Sequence, residues 1–163
     1  MAPPPLPQRS SKYRRRAARL THPHQPAGKS KPMDISYLPF ANLLGIEIVE
    51  AKPELVVARL AVRKELCTIP DILHGGAIMS FADTVGAVAT VLNLPEGAST
   101  TTVESKTNFL APVPLGDTAI ATCEAFHKGG RLMVWQTKIT RNDGRLCAVV
   151  TQSQMVLKPE KKG

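Results

Sequence analysis

Asp83 is out of place in its surroundings. It sits among Phe81, Ala82, Val85 and Val88, and no Lys, Arg or His stands three or four residues away to pair with it. An ionised carboxylate is costly to bury alone, so such a group must find polar company or a cavity. Lone acids of this kind are candidates for functional sites, although an Asp that caps a neighbouring backbone or meets a distant cation would look the same. Nine residues upstream begins the triplet His74-Gly75-Gly76. The Gly75 and Gly76 N–H groups fall in the first turn of a helix, where they have no intrahelical acceptor. Glycine lets a ligand approach the backbone, and the helix dipole favours negative charge at that end. A carbonyl oxygen gaining charge during acyl transfer would suit that position.

The spacing of the two features constrains how they work together. Asp83 lies eight residues beyond Gly75, about 12 Å along an α-helix. A base and an oxyanion donor must both come within roughly 3 Å of the reacting group. One helix cannot bring its own pair together. Two such helices lying antiparallel can, because the start of one then faces the middle of the other. The site therefore calls for a two-fold homodimer with two equivalent composite sites.

The elements that must position these residues can be traced from the same pattern. Residues 74–92 read as a long helix, apolar on nearly every face and hence buried all round. Gly86 inside it permits close approach of another backbone. Upstream, residues 34–44 read as a short helix reset by Pro39 and ended by Gly45. Residues 46–51 and 54–62 form a hairpin, and 64–72 a loop. Downstream, segments near 100–110, 117–127, 131–141 and 145–157 read as four meandering strands. Gly129-Gly130 and Asn142-Asp143-Gly144 turn between the last three. Two strands, one buried helix and four more strands make an α+β domain, with a single antiparallel sheet curled around the helix.

Composition narrows the functional classes. The chain has 163 residues and is 43% hydrophobic, enough for one domain with its own core. The net charge of +8 is uneven. Residues 1–32 carry eight basic residues and no acid, so 33–163 carry 13 of the 21 basic residues against all 13 acids and are neutral. Residues 1–32 are expected to be a disordered, solvated basic extension. A transit peptide, or contact between Lys12-Tyr13-Arg14-Arg15-Arg16 and nucleic acid or an anionic surface, is the alternative. Residues 159–163 form a short tail. Cys67, Cys123 and Cys147 are too few and too scattered for a disulfide framework or a metal site, and read as buried, reduced thiols of a cytoplasmic protein. No apolar run is long enough to span a bilayer. There is no phosphate-cradling loop and no dinucleotide fingerprint, and Ser80 stands in no G-x-S-x-G elbow.

Residues 33–158 resemble the hotdog-fold acyl-CoA thioesterases of the PaaI/4HBT type. The matching stretches are LHGGAIMSFADTVG (73–86), TVESKTNFLAPVPLGD (102–117), KGGR (128–131) and NDGRLCAVVTQSQMVL (142–157). The resemblance implies a helix wrapped by an antiparallel sheet, dimers that pair their sheets, and a homotetramer built from two dimers. It implies Asp83 as general base or nucleophile, the partner subunit's Gly75 N–H as oxyanion donor, and His74 beside it. Thr102 would position the attacking water. Thr68 stands where relatives frequently carry Asn, and a hydroxyl cannot replace both functions of an amide. Gly76 would lie against the substrate. Lys106, Lys128 and Arg131 would border the channel for the CoA phosphates, and Phe40, Leu43, Phe81 and Phe109 would shape the acyl pocket. The substrate is then an acyl-CoA, with no metal and no separate cofactor. The readings to weigh against it are a hotdog dimer that binds such a ligand without cleaving it, a hotdog hydratase or dehydratase, and a nucleic-acid role confined to the tail.

Overall fold

The structure, a computed structural model, describes residues 32–159. The expected extension, apart from Pro32, and the tail beyond Pro159 lie outside the described residues. Helix α1 (Pro39–Leu44) starts with Pro39 in its first turn, where the missing N–H costs nothing, and ends at Gly45 with φ 77°. Strands β1 (Ile46–Lys52) and β2 (Leu55–Ala61) form the expected hairpin. Residues 64–72 are more ordered than a loop. A 3-10 turn (Lys64–Leu66) leads into a two-stranded ribbon, β3 (Cys67–Thr68) and β4 (Ile72–Leu73), closed around a cis Ile69–Pro70 bond. Helix α2 (Gly75–Val91) follows, and then β5 (Ser99–Phe109), β6 (Thr118–Lys128), β7 (Leu132–Thr140) and β8 (Leu146–Leu157).

The main sheet is antiparallel with strand order β1-β2-β6-β7-β8-β5. Strands β6 to β8 meander as expected, but β5 does not join them in sequence. It crosses to the far side of β8 and becomes an edge. Its link to β6 runs through Pro112 and Pro114, which is unsuited to a tight hairpin. The six-stranded sheet curls around α2, so the expected α+β architecture holds.

Alternation along the strands supplies the inner face. Val56, Ala58 and Leu60 of β2, Ala119, Ala121 and Cys123 of β6, and Met133, Trp135 and Ile139 of β7 are buried against α2 with Phe81, Val85 and Val88. Trp135 is fully buried, and its indole N–H donates to Thr90 Oγ1 at 2.8 Å. The Thr90 hydroxyl donates in turn to Gly86 O at 2.8 Å. This latch ties the last turns of α2 to the middle of the sheet.

Two further expectations change. Helix α2 is not buried all round within one chain: Met79 is 41% and Val91 50% exposed, and Ala77, Ser80, Asp83, Thr84 and Ala87 are half-buried along the same side. Hydropathy alone cannot separate a helix enclosed by its own sheet from one that leaves a stripe for another surface. The cysteines also differ among themselves. Cys123 and Cys147 are buried but Cys67 is only partly so, and burial pushes the Cys123 thiol up to about 11.

The latch generates a stability prediction. Thr90→Val keeps the shape of the side chain but leaves the Trp135 N–H without an acceptor. It should cost about 1–3 kcal/mol, measured by urea unfolding. A change below a few tenths of a kcal/mol would show that the latch contributes nothing.

Candidate active site

The site is assembled around the two ends of the first half of α2. At the N-terminal end, the entering chain is anchored by His74 N–H donating to Leu66 O and Leu73 N–H donating to Val113 O, both at 2.8 Å. His74 is the N-cap, and its Nδ1 accepts the Gly76 N–H at 2.9 Å. Gly76 therefore spends its N–H inside the helix entry, and its absent side chain makes room for the cap: a Cβ there would lie 3.0 Å from His74 Nδ1. Gly75 is glycine for another reason. The Phe109 ring lies over it, so that a Cβ would come within 3.2 Å of Cζ. Thr68, Gly75, Ile78 and Phe109 line one cavity of about 370 Å³.

Two turns further along, Asp83 has found polar company on its own sheet. Thr102 Oγ1 donates to Asp83 Oδ1 at 2.8 Å, and Gln152 Nε2 donates to the same oxygen at 2.7 Å. Gln154 Nε2 donates to Thr102 Oγ1 at 2.8 Å. Both donors fall on Oδ1, and Oδ2 takes no hydrogen bond from the described residues. The carboxylate is thus held through one oxygen while the other stays available. A β-bulge between Thr102 and Glu104 serves this geometry. It keeps Thr102 opposite Gln154 while placing Ser105 opposite Gln152, so inward-facing positions occur on both sides of the bulge.

Gln152 and Gln154 stand outside the expected site residues, although the sequence carries a signal for them. Both are fully buried and alternate with Val150 and Val156 on the core side of β8, where polar side chains need a reason. Gly86 also finds its explanation here. A Cβ at this position would fall 2.5 Å from Gln152 Oε1, so the glycine admits a side chain of its own sheet rather than another backbone. That Oε1 is buried and unpartnered, which leaves the amide held by what Nε2 donates.

The remaining expected residues scatter. Phe40 borders a cavity of about 400 Å³ that also touches Asp83. Phe81 is fully buried in the core instead of facing a pocket, because it lies on the side of α2 turned to the sheet. Leu43 is exposed, and its carbonyl accepts from Arg63 Nη2 at 2.5 Å. Lys128 Nζ donates to Asn93 Oδ1 at 3.2 Å, beyond the C-terminal end of α2. Arg131 is exposed just before β7. Lys106 pairs with Thr151, which alternates with the inward Gln152 and Val150, so Lys106 is on the outer face of the sheet. The three cations form no single cluster with Asp83.

Comparison with known proteins agrees with this fold. The model of the thioesterase superfamily matches residues 71–148, which include both ends of the site. A protein of Haemophilus influenzae named as an esterase is 34% identical over 107 residues, covering 65% of this chain and 76% of its own. The acyl-coenzyme A thioesterase PaaI of Escherichia coli is 30% identical over 110 residues, covering 67% of this chain and 76% of its own. Among solved structures, a thioesterase from Haemophilus influenzae superposes with a TM-score of 0.72 at 27% identity, over 78% of this chain and 88% of that one. The chain belongs to the thioesterase superfamily, in its PaaI-like hotdog branch, and its class is that of the thioester hydrolases.

The clamp on Oδ1 makes a prediction about two residues at once. Gln152→Leu removes the donor, and Gly86→Ala displaces it. Each should lower kcat for thioester hydrolysis by about tenfold to a hundredfold, the worth of one hydrogen bond to a charged group. The double variant should be no slower than the worse single one. Losses that multiply would show that Gly86 and Gln152 act separately.

Proposed function

We propose that this protein hydrolyses acyl-CoA thioesters to the free acid and CoA, in a site shared by two copies of the chain. The observation that carries the reading is the carboxylate of Asp83, held through Oδ1 by Thr102 and Gln152 with Oδ2 open. Asp83 acts as general base for water or as the nucleophile. As base, Oδ2 takes a proton from water while the water oxygen attacks the thioester carbon. The carbonyl oxygen gains charge and is stabilised by the partner subunit's Gly75 N–H. Collapse of the tetrahedral species breaks the C–S bond, and the leaving thiolate takes the proton that Asp83 drew from water, which returns the carboxylate to its starting form. The expected role of Thr102 is to position the attacking water; its proton goes to Asp83 and it accepts from Gln154, which supports a role in positioning the carboxylate instead. His74 keeps the helix entry in shape through its cap.

The need for a second copy rests on three features. α2 is a continuous helix, so Gly75 and Asp83 stand about 12 Å apart in one chain. The half-buried stripe on α2 awaits a neighbour. β5 is a long edge strand with Val103 and Phe109 exposed, the kind of edge that soluble proteins pair or protect. The assembly is a homodimer at minimum, with a homotetramer of two dimers as the fuller form. Pairing Gly75 with the partner subunit's Asp83 puts the two-fold axis midway, at Met79. Lys106, Lys128 and Arg131 would meet the CoA phosphates in that assembly, and Thr68 would border the oxyanion end. The reading needs no metal and no cofactor besides the CoA of the substrate. It places the enzyme in the cytoplasm, where free thiols stay reduced.

Thiol release from a panel of acyl-CoAs tests the proposal. Wild type should turn over several members, and Asp83→Asn should lose at least about a hundredfold in kcat. Hydrolysis undiminished in Asp83→Asn would remove that residue from the mechanism.

A further inference from the structure

Gln154 is fully buried on the inner face of β8, and both ends of its amide need partners there. Both find them on β5. Nε2 donates to Thr102 Oγ1 at 2.8 Å, and Oε1 accepts from Thr100 Oγ1 at 3.0 Å. The Thr100 hydroxyl also lies 2.9 Å from Met155 O, so its one proton is shared between two carbonyls. The order is Thr100, Gln154, Thr102, Asp83, each member donating to the next. Gln152 Nε2 approaches the Thr102 oxygen as well, at 3.3 Å.

This arrangement leaves the Thr102 proton one destination. A hydroxyl has one proton and two lone pairs. With the amide groups of Gln154 and Gln152 both directed at the oxygen, the proton goes to Asp83 Oδ1. That outcome depends on which way round the Gln154 amide sits. Turned over, its carbonyl would face Thr102 and take that proton. Its NH2 would face Thr100, whose oxygen can accept while its own proton goes to Met155 O. Every group except Asp83 would be satisfied in the turned arrangement too. The observed orientation wins because its last bond ends on a charge, which makes that bond roughly twice as strong as a neutral one.

Resting on the reading given under Proposed function, we propose that Gln154 is a positioning residue for the reaction. It acts on Asp83 through the Thr102 proton, and Thr100 sets the direction of its amide. Gln154 itself makes no hydrogen bond to the carboxylate among the described residues. By keeping the donors of Thr102 and Gln152 together on Oδ1, it leaves the reacting role to Oδ2. A reversed amide would release one of those donors and let the carboxylate turn, so that neither oxygen would be fixed toward the substrate.

The test compares Gln154→Met and Gln154→Glu with wild type on the acyl-CoA that wild type turns over fastest, with thermal melting to confirm folding. Gln154→Met removes the amide but leaves the Thr102 proton free to reach Asp83. Its kcat should fall about twofold to tenfold, the worth of a neutral hydrogen bond. Gln154→Glu offers Thr102 only acceptors, draws its proton away from Asp83, and should lower kcat at least about tenfold further. KM should stay within about twofold in both, since the substrate is not what these residues touch. Thr100→Val should lower kcat about twofold to fivefold, and Thr100→Ser should recover most of it. On a Thr102→Val background, Gln154→Met should add less than about twofold, because Thr102 is its route to Asp83. Should Gln154→Glu fail to fold, this last comparison decides by itself. Gln154→Glu no slower than Gln154→Met, losses from Gln154→Met and Thr102→Val that multiply, or a change confined to KM would each overturn the inference alone. No turnover of any acyl-CoA by wild type would overturn the acyl-CoA reading, and this inference with it.

Discussion

The rigidity of α2 is the constraint on which the rest depends. A helix advances 1.5 Å per residue, so its first-turn N–H groups and its ninth residue cannot close on one small group. The Trp135–Thr90–Gly86 latch and the His74 cap leave the helix no slack at either end. Bending therefore gives one chain no way to bring Gly75 and Asp83 onto one group, and on the proposed reading a second copy supplies the missing half. In that reading the open stripe on α2 and the unpaired edge of β5 serve the same assembly.

The core and the site share residues, which explains some costly choices. Gln152 and Gln154 occupy core positions on β8 that would be more stable as apolar side chains, and Gly86 weakens a helix interior. Gln152 Oε1 remains buried without a partner. These make sense together as the support of one carboxylate oxygen. Thr102 reaches Asp83 because a bulge shifts the register of β5 by one residue. Stability is given up at several positions to set the direction of a single charged group.

Much of this was legible in the amino-acid pattern, and the limits have physical causes. The α+β order, both hairpins around Gly129-Gly130 and Asn142-Asp143-Gly144, and the contradiction between Gly75 and Asp83 on one helix follow from period, turn chemistry and helix rise. The position of β5 did not, because edge placement is decided by non-local pairing with β8. The burial of α2 was overstated, since apolar side chains facing a groove read the same as those facing a sheet. The role of Gln152 is not legible in the sequence, because it depends on β8 bringing that side chain against Gly86. Phe81 illustrates the converse error, an aromatic assigned to a pocket that in fact fills the core.

A site that takes Asp83 from one chain and Gly75 from another can be rebuilt from two damaged chains, by co-expressing Asp83→Asn and Gly75→Val chains under different tags and purifying the heterodimer through both. Asp83→Asn removes the carboxylate from both sites of its homodimer. Gly75→Val, while keeping the N–H, sets a side chain against the Phe109 ring that bars the carbonyl from both sites of its own. The heterodimer, by contrast, holds one site with both halves intact. Its turnover per dimer should be about half that of wild type. A heterodimer as inactive as its two parents would contradict the shared site.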